Sequence, residues 1–186
     1  MTPAAIDWLV LTGGAGSRLG QDKASTTIAG RTLLERVRDA ITSVDPRGRI
    51  HEVGPEFAGG PAGAVAAALA QCQSEFVGVV AVDMPMVGTA LAAVVQAIQP
   101  AAAGSQAWIP VTGEGRRQWL CAVYRREPLA LIATSQDWTD RPFHRLVEGL
   151  ACTEVRVVAD VSLLDIDTPE DLARATLQIQ ESERTR

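Results

Sequence analysis

Apolar residues recur along the chain in two rhythms. Ile6 to Leu11, interrupted only by Asp7, and Phe76 to Val82 are nearly continuous apolar runs of strand length. Runs of this kind mark strands covered on both faces, and the second, unbroken, belongs at the centre of a parallel sheet. Thr32 to Val44 instead carries Leu33, Leu34, Val37, Ile41 and Val44 on one helical stripe, which Pro46 ends. A short strand follows at Arg49 to Val53. Gly59-Gly60-Pro61 opens an alanine-rich helix reaching about Gln71, and Thr89 to Ile98 forms another that Pro100 stops. Ala107 to Val111 and Leu120 to Tyr124 read as strands joined by a polar turn rich in Gly and Arg. Helices are expected at Glu127 to Ala133 and Phe143 to Leu150, with a strand at Thr153 to Val158. The last helix has Thr168 as N-cap, Pro169 at N1 and Asp171 at N3, a capping-box-like arrangement. Alternating strands and helices predict βαβ units, hence a three-layer α/β fold with a mostly parallel central sheet. A single domain is expected over residues 1–180, followed by a charged, frayed tail at 181–186.

Chemistry concentrates directly after the first strand. Gly13, Gly14, Gly16 and Gly20 stand within eight residues, with Arg18, Asp22 and Lys23 among or just behind them. Glycines let the backbone turn back and offer bare N–H groups to an anion. The Arg18 guanidinium can grip phosphate oxygens in pairs, while the Lys23 ammonium acts as a point charge. The pattern predicts a triphosphate-holding loop at the C-terminal edge of the sheet, where open α/β sheets take their ligands. Neither of the commoner phosphate loops fits. Lys23 lies between Asp22 and Ala24, and a dinucleotide fingerprint counted from Gly14 and Gly16 meets Leu19 where it needs glycine. Asp83-Met84-Pro85 follows the central strand and brings a carboxylate to the same edge. A nucleoside triphosphate needs Mg²⁺, a hard cation that takes carboxylate and phosphate oxygens together, which makes Asp83 its natural ligand.

Composition narrows the partners. The net charge of −5 argues against a nucleic-acid backbone. Positive charge is local, at Arg18 and Lys23 and again at Arg116-Arg117, which suits a small anionic ligand. Arg116-Arg117 sits in a turn and reads as solvated, or as a contact for an anionic acceptor. Cys72, Cys121 and Cys152, odd in number and far apart, read as buried small hydrophobes in a reducing compartment. Residues 1–5 carry no leader signature, Asp7 breaks the first apolar run, and no run reaches the ~18 residues of a membrane span. The expectation is a cytoplasmic protein. His144 reads as structural or surface.

The stretch Leu11 to Lys23 resembles the Leu-x-Gly-Gly-x-x-x-Arg-x-Gly-x-Asp-Lys signature of the molybdenum cofactor guanylyltransferase family. The likeness extends over about residues 6 to 175 and is specific at 11–23 and 81–85. It implies a Rossmann-like fold of the nucleotide-diphospho-sugar transferase type. It also implies transfer of GMP from GTP to the phosphate of molybdopterin, with pyrophosphate released. By this resemblance Leu11, Thr12, Gly13 and Gly14 hold the nucleotide, Arg18 and Lys23 its phosphates, and Asp83 the metal. The stretch Asp165 to Asp171 resembles a late family segment that returns to the site. Asp165 and Asp167 alternate along it, so one is expected to face the ligand, with Asp165 favoured for a metal or acceptor role. Gly59 to Gly63 resembles the turn that lies against the nucleobase, placing Gly60 and Gly63 beside it. The family's aspartate before that turn is missing, and Glu56 is its candidate replacement. Thr12-Gly13-Gly14 is nearer the guanylyl than the cytidylyl pattern. A cytidylyltransferase or another phospho-acceptor transferase of this fold, and an NTP-binding protein without turnover, are the alternatives. The resemblance further implies transient contact with proteins that make or receive the cofactor.

Overall fold

The computed structural model describes residues 5–13, 23–98, 104–157 and 160–184. β1 (Ile6–Leu11) pairs in parallel with β4 (Arg49–Val53) on one side and β5 (Phe76–Ala81) on the other. β7 (Cys121–Arg125) runs antiparallel to β5, β6 (Ala107–Val111) antiparallel to β7, and β8 (Cys152–Arg156) parallel to β6. The six-stranded order is β4-β1-β5-β7-β6-β8, so β7 alone opposes the rest and the sheet is mostly parallel, as expected. A separate two-stranded hairpin, β2 (Thr27–Ile28) with β3 (Arg31–Thr32), precedes the first helix and was not legible in the pattern. Its turn places Ala29 and Gly30 at φ 48° and 77°.

Helices cover both faces. α1 (Leu33–Val44), α3 (Gly88–Ile98) and α6 (Pro169–Arg184) lie on one, and α2 (Gly60–Ala68), α4 (Arg126–Ala133) and α5 (Phe143–Val147) on the other. Alternation along β1 feeds both cores: Trp8 and Val10 pack with α1 and α3, Leu9 and Leu11 with α2. The Trp8 ring lies across β5 at Gly78, where any Cβ would overlap it. Its indole N–H donates to Asp45, 3.2 Å away, which also accepts from the Ile6 N–H at 3.0 Å. Thr32 and Glu35 form a capping box at the start of α1. α5 is shorter than expected, because the chain turns at Glu148-Gly149 to enter β8. α6 runs to Arg184, past the point where the tail was expected to begin.

The polar interruption of β1 is fully buried. Asp7 accepts from the backbone N–H groups of Gln73 and Ser74 at 2.6 and 2.7 Å and from Arg49 Nε at 2.8 Å, with His51 at 3.4 Å. Burial opposes its ionisation, but these donors outweigh it and hold the carboxyl at about 2. Asp7, His51 and the Cys72 sulfur come within 4.8 Å of one another. They do not suit a metal: the carboxylate oxygens are already taken, Arg49 brings a fixed positive charge, and burial pushes the Cys72 thiol up to about 12. The group locks the N-terminal end of β1, opposite the edge where the candidate residues gather.

Candidate active site

Five chain segments reach one edge of the sheet. β1, β4 and β5 all end there. β7 starts there, because it runs antiparallel to β5 with Cys121 opposite Val80. β8 is parallel to β6 and sends the chain back toward the same edge. Beyond β1, the N–H groups of Thr12 and Gly13 both donate to the carbonyl of Val53, at 3.0 and 3.3 Å. Thr12 and Gly13 therefore lie along the end of β4. Gly14, Arg18 and Asp22 lie outside the described residues, and Lys23 opens the next described segment.

Lys23 is where the sequence elements meet. Its ammonium donates to Asp83 Oδ2 at 2.9 Å and to Asp167 Oδ1 at 2.6 Å. Asp83 is fixed by backbone on both sides: the Val82 N–H donates to the Leu11 carbonyl, and the Ile166 N–H to the Asp83 carbonyl at 2.9 Å. Ile166, fully buried, is the peg that holds Asp165 and Asp167 at this edge. Behind it, Asp171 accepts from the N–H and hydroxyl of Thr168, closing the N-terminus of α6 as the sequence indicated. Thr168 and Asp171 cap reciprocally, an aspartate replacing the usual glutamate.

Electrostatics follow from that geometry. Burial raises the Asp83 carboxyl above its ordinary value. Lys23 pulls it down, while the charges of Asp167 and Asp165 push it further up. For Lys23, burial alone would lower the ammonium, but the bonds to Asp167 and Asp83 prevail and raise it. Two carboxylates bond one ammonium and a third, Asp165, adds its charge to Asp83, which leaves an uncompensated negative charge. The donor set is all oxygen and anionic, the chemistry that suits a hard divalent cation. Asp165 lines the cleft beside Asp83, while Asp167 bonds Lys23. The stretch is an extended loop beside β5, so strand alternation does not govern it.

Two clefts flank Pro61, which lines both. The first, about 790 Å³, lies between Leu11, Gly13, the β4 exit and the start of α2. Gly60 is in its wall, while Gly63 lies on the next turn of α2 against Ala58 and Thr139. Gly59 and Gly60 have φ of 97° and 70°, a backbone that glycine adopts without strain. Glu56 folds back so that its carboxylate accepts from the Gly54 N–H at 3.3 Å. The opposite wall is Asp140 and Arg141, from a segment to which the sequence pattern gave no role.

The second cleft, about 490 Å³, holds Asp83 and Asp165 on one side and the arm before β7 on the other. There Arg117 is tied to Glu154 and stacks over Trp119 at 5.4 Å. The Arg116 guanidinium has no carboxylate partner among the described residues and faces the same space as His144. His144, read from the sequence as structural or surface, is thus exposed at the cleft wall.

The family model of the MobA-like NTP transferase domain matches residues 8–150. A protein of Nostoc sp. named probable molybdenum cofactor guanylyltransferase is 29% identical over 187 residues, spanning 89% of this chain and 87% of its own length. Among solved structures, molybdopterin-guanine dinucleotide biosynthesis protein A from Archaeoglobus fulgidus superposes with a TM-score of 0.72 at 22% identity, over 95% of this chain and all (100%) of its own. The 4-diphosphocytidyl-2C-methyl-D-erythritol synthase of Anaerococcus prevotii superposes at 0.68 and 14% identity, over 95% and 98% of the two chains. At these identities the two structures show a shared fold. Among the described residues, no helix is long and apolar enough to cross a membrane.

Proposed function

The chain belongs to the MobA-like NTP transferase family, and from that premise we propose that it transfers GMP from GTP to the phosphate of molybdopterin. An acceptor phosphate oxygen attacks the α-phosphorus, the bond from that phosphorus to the bridging oxygen breaks, and pyrophosphate leaves. The product is the guanine dinucleotide form of the cofactor. The observation that carries this reading is Lys23 held between Asp83 and Asp167 at the end of the phosphate-loop sequence. A cation for the triphosphate and carboxylates for its metal thus share one sheet edge.

No side chain has to remove a proton, because the attacking phosphate is already ionised near neutral pH. Catalysis is then positioning and charge neutralisation. Backbone around Leu11, Thr12, Gly13 and Gly14 receives the nucleotide, and Arg18 and Lys23 hold its phosphates. Gly60, with Glu56 bracing the β4 exit, shapes the base side. Asp83 and Asp165 offer the oxygens for Mg²⁺, whose charge would offset that on the α-phosphate and the leaving pyrophosphate. Arg116 and His144 face the place left for the acceptor. GTP is preferred over CTP on two grounds: Thr12-Gly13-Gly14 and the name carried by the Nostoc relative.

The test is pyrophosphate release by the purified protein with Mg²⁺, molybdopterin and each of four NTPs in turn. Release with GTP, together with a guanine dinucleotide product, supports the reading. Turnover with CTP makes the protein a cytidylyltransferase, and NTP binding without release makes it a binding protein.

A further inference from the structure

We propose that Asp140 reads the nucleobase, its carboxylate accepting from the ring N1–H and the 2-amino group of guanine. The inference rests on the nucleotidyl-transfer reading and names a specificity residue that the sequence pattern did not supply. Among the described residues, Asp140 and Arg141 are the charged ones lining the 790 Å³ cleft, whose other described walls are backbone and apolar side chains. The position is built. Asp140 has a φ of 56°, and its N–H donates to the Gly59 carbonyl at 2.7 Å, pinning the turn to the start of α2. Trp138 and Phe143, both buried, anchor the segment on either side, with the Trp138 indole N–H donating to the Ile132 carbonyl.

The turn does not need the Asp140 carboxylate. Local hydrogen bonding is done by Asp137, which accepts from the N–H and hydroxyl of Thr139. Among the described residues the Asp140 oxygens have no hydrogen-bond or ionic partner, and the side chain is exposed to the cleft. Asp140 Oδ1 stands 3.8 Å from where a Cβ on Gly60 would be, so the glycine leaves a bare wall beside the acid. Glu56, the carboxylate expected on this side, is engaged with Gly54 instead.

Base chemistry then selects the ligand. A carboxylate presents two acceptors side by side, and among the four common bases guanine alone offers two adjacent donors on one edge. Cytosine and adenine each place a ring acceptor beside their amino group, which an aspartate repels. Uracil offers one N–H flanked by carbonyls.

The full-length protein is titrated with GTP, CTP, ATP and xanthosine triphosphate in Mg²⁺, beside Asp140→Asn and Asp140→Gly. Both replacements accept the left-handed backbone, so the turn is retained. Xanthine has a carbonyl where guanine has its amino group, which suits the donor and acceptor of an asparagine amide. Asp140→Asn is expected to weaken GTP about tenfold to a hundredfold and to bind xanthosine triphosphate more tightly than GTP. Asp140→Gly should lose the GTP preference without that gain. Tripolyphosphate, which has no base, should bind all three proteins alike. Undiminished GTP binding by Asp140→Asn overturns the assignment. A wild type that prefers CTP or ATP overturns it too while leaving nucleotidyl transfer intact, whereas a wild type that binds no nucleoside triphosphate overturns the reading beneath it.

Discussion

Replacing Asp83 with asparagine separates a metal-binding carboxylate from a structural one, because the two roles predict opposite changes in stability. Asp83 is about one-fifth exposed, close to Asp165 and Asp167, and its carboxyl is raised by burial and by their charges. A carboxyl raised in the folded state stabilises the fold while protonated. That stability fades as pH climbs through its ordinary value of 3.8 toward the raised one. At neutral pH its ionised form is therefore a strain on the unliganded protein. Asparagine removes the desolvation and the repulsion, and its amide oxygen can still accept from Lys23, which also retains Asp167. The fold should hold or gain on the order of 1 kcal/mol, read as a Tm unchanged or up about 2–4 °C for a chain of this size. Transfer should collapse. Removing one preorganised charge-stabilising group costs on the order of 10²–10³-fold in kcat, with nucleotide binding reduced far less. Pyrophosphate release and thermal melting on the same preparation measure both. An Asp83→Asn protein that melts lower and keeps its turnover per folded molecule would show that Asp83 only closes the end of β5.

Most of this site was legible because its parts follow strands directly. Leu11 to Gly13 and Asp83 sit at strand ends, and a parallel sheet delivers such residues to one edge whatever the details of packing. The Thr168-Pro169-Asp171 cap was equally local. What escaped is set by long-range geometry. Arg116 and His144 are 33 residues or more beyond Asp83, and they line its cleft only because β7 reverses direction and α5 packs beside α2. Asp140 lies in a polar turn with no periodicity, and its position depends on one left-handed backbone angle and one bond to Gly59. Asp7 was visible as an interruption of β1, but its donors come from residues 42 to 67 positions away, so the buried lock could not be read. Strand alternation does not apply at Asp165 and Asp167 for the converse reason: this stretch is a loop pegged by Ile166.

Further outcomes follow from the same contacts. Lys23→Met, which keeps the apolar stem and removes the ammonium, should weaken Mg²⁺–GTP binding about tenfold to a hundredfold by titration and lower Tm, since Asp83 and Asp167 lose their shared cation. Unchanged GTP affinity would remove Lys23 from the phosphate site. Arg116→Ala should raise KM for the acceptor about fivefold or less, as an exposed cation allows, with GTP affinity unaltered; an effect on GTP alone would place the acceptor elsewhere. Asp7→Asn tests the lock at the far end of β1. The carboxyl is held at about 2 against an ordinary 3.8, so it stabilises the fold above the ordinary value and that contribution drains away as pH falls toward 2. The difference is worth up to about 2 kcal/mol, less what solvent screening takes at the half-exposed Arg49. Asparagine also turns an amide N–H₂ toward the Arg49 guanidinium, or toward the Gln73 and Ser74 N–H groups, so a donor faces a donor in either rotamer. The variant should have a lower urea midpoint at pH 7 and a flatter acid limb between pH ~5 and ~2, with turnover per folded molecule preserved. An acid profile superimposable on that of the wild type would mean that the Asp7 cluster does not couple protonation to folding.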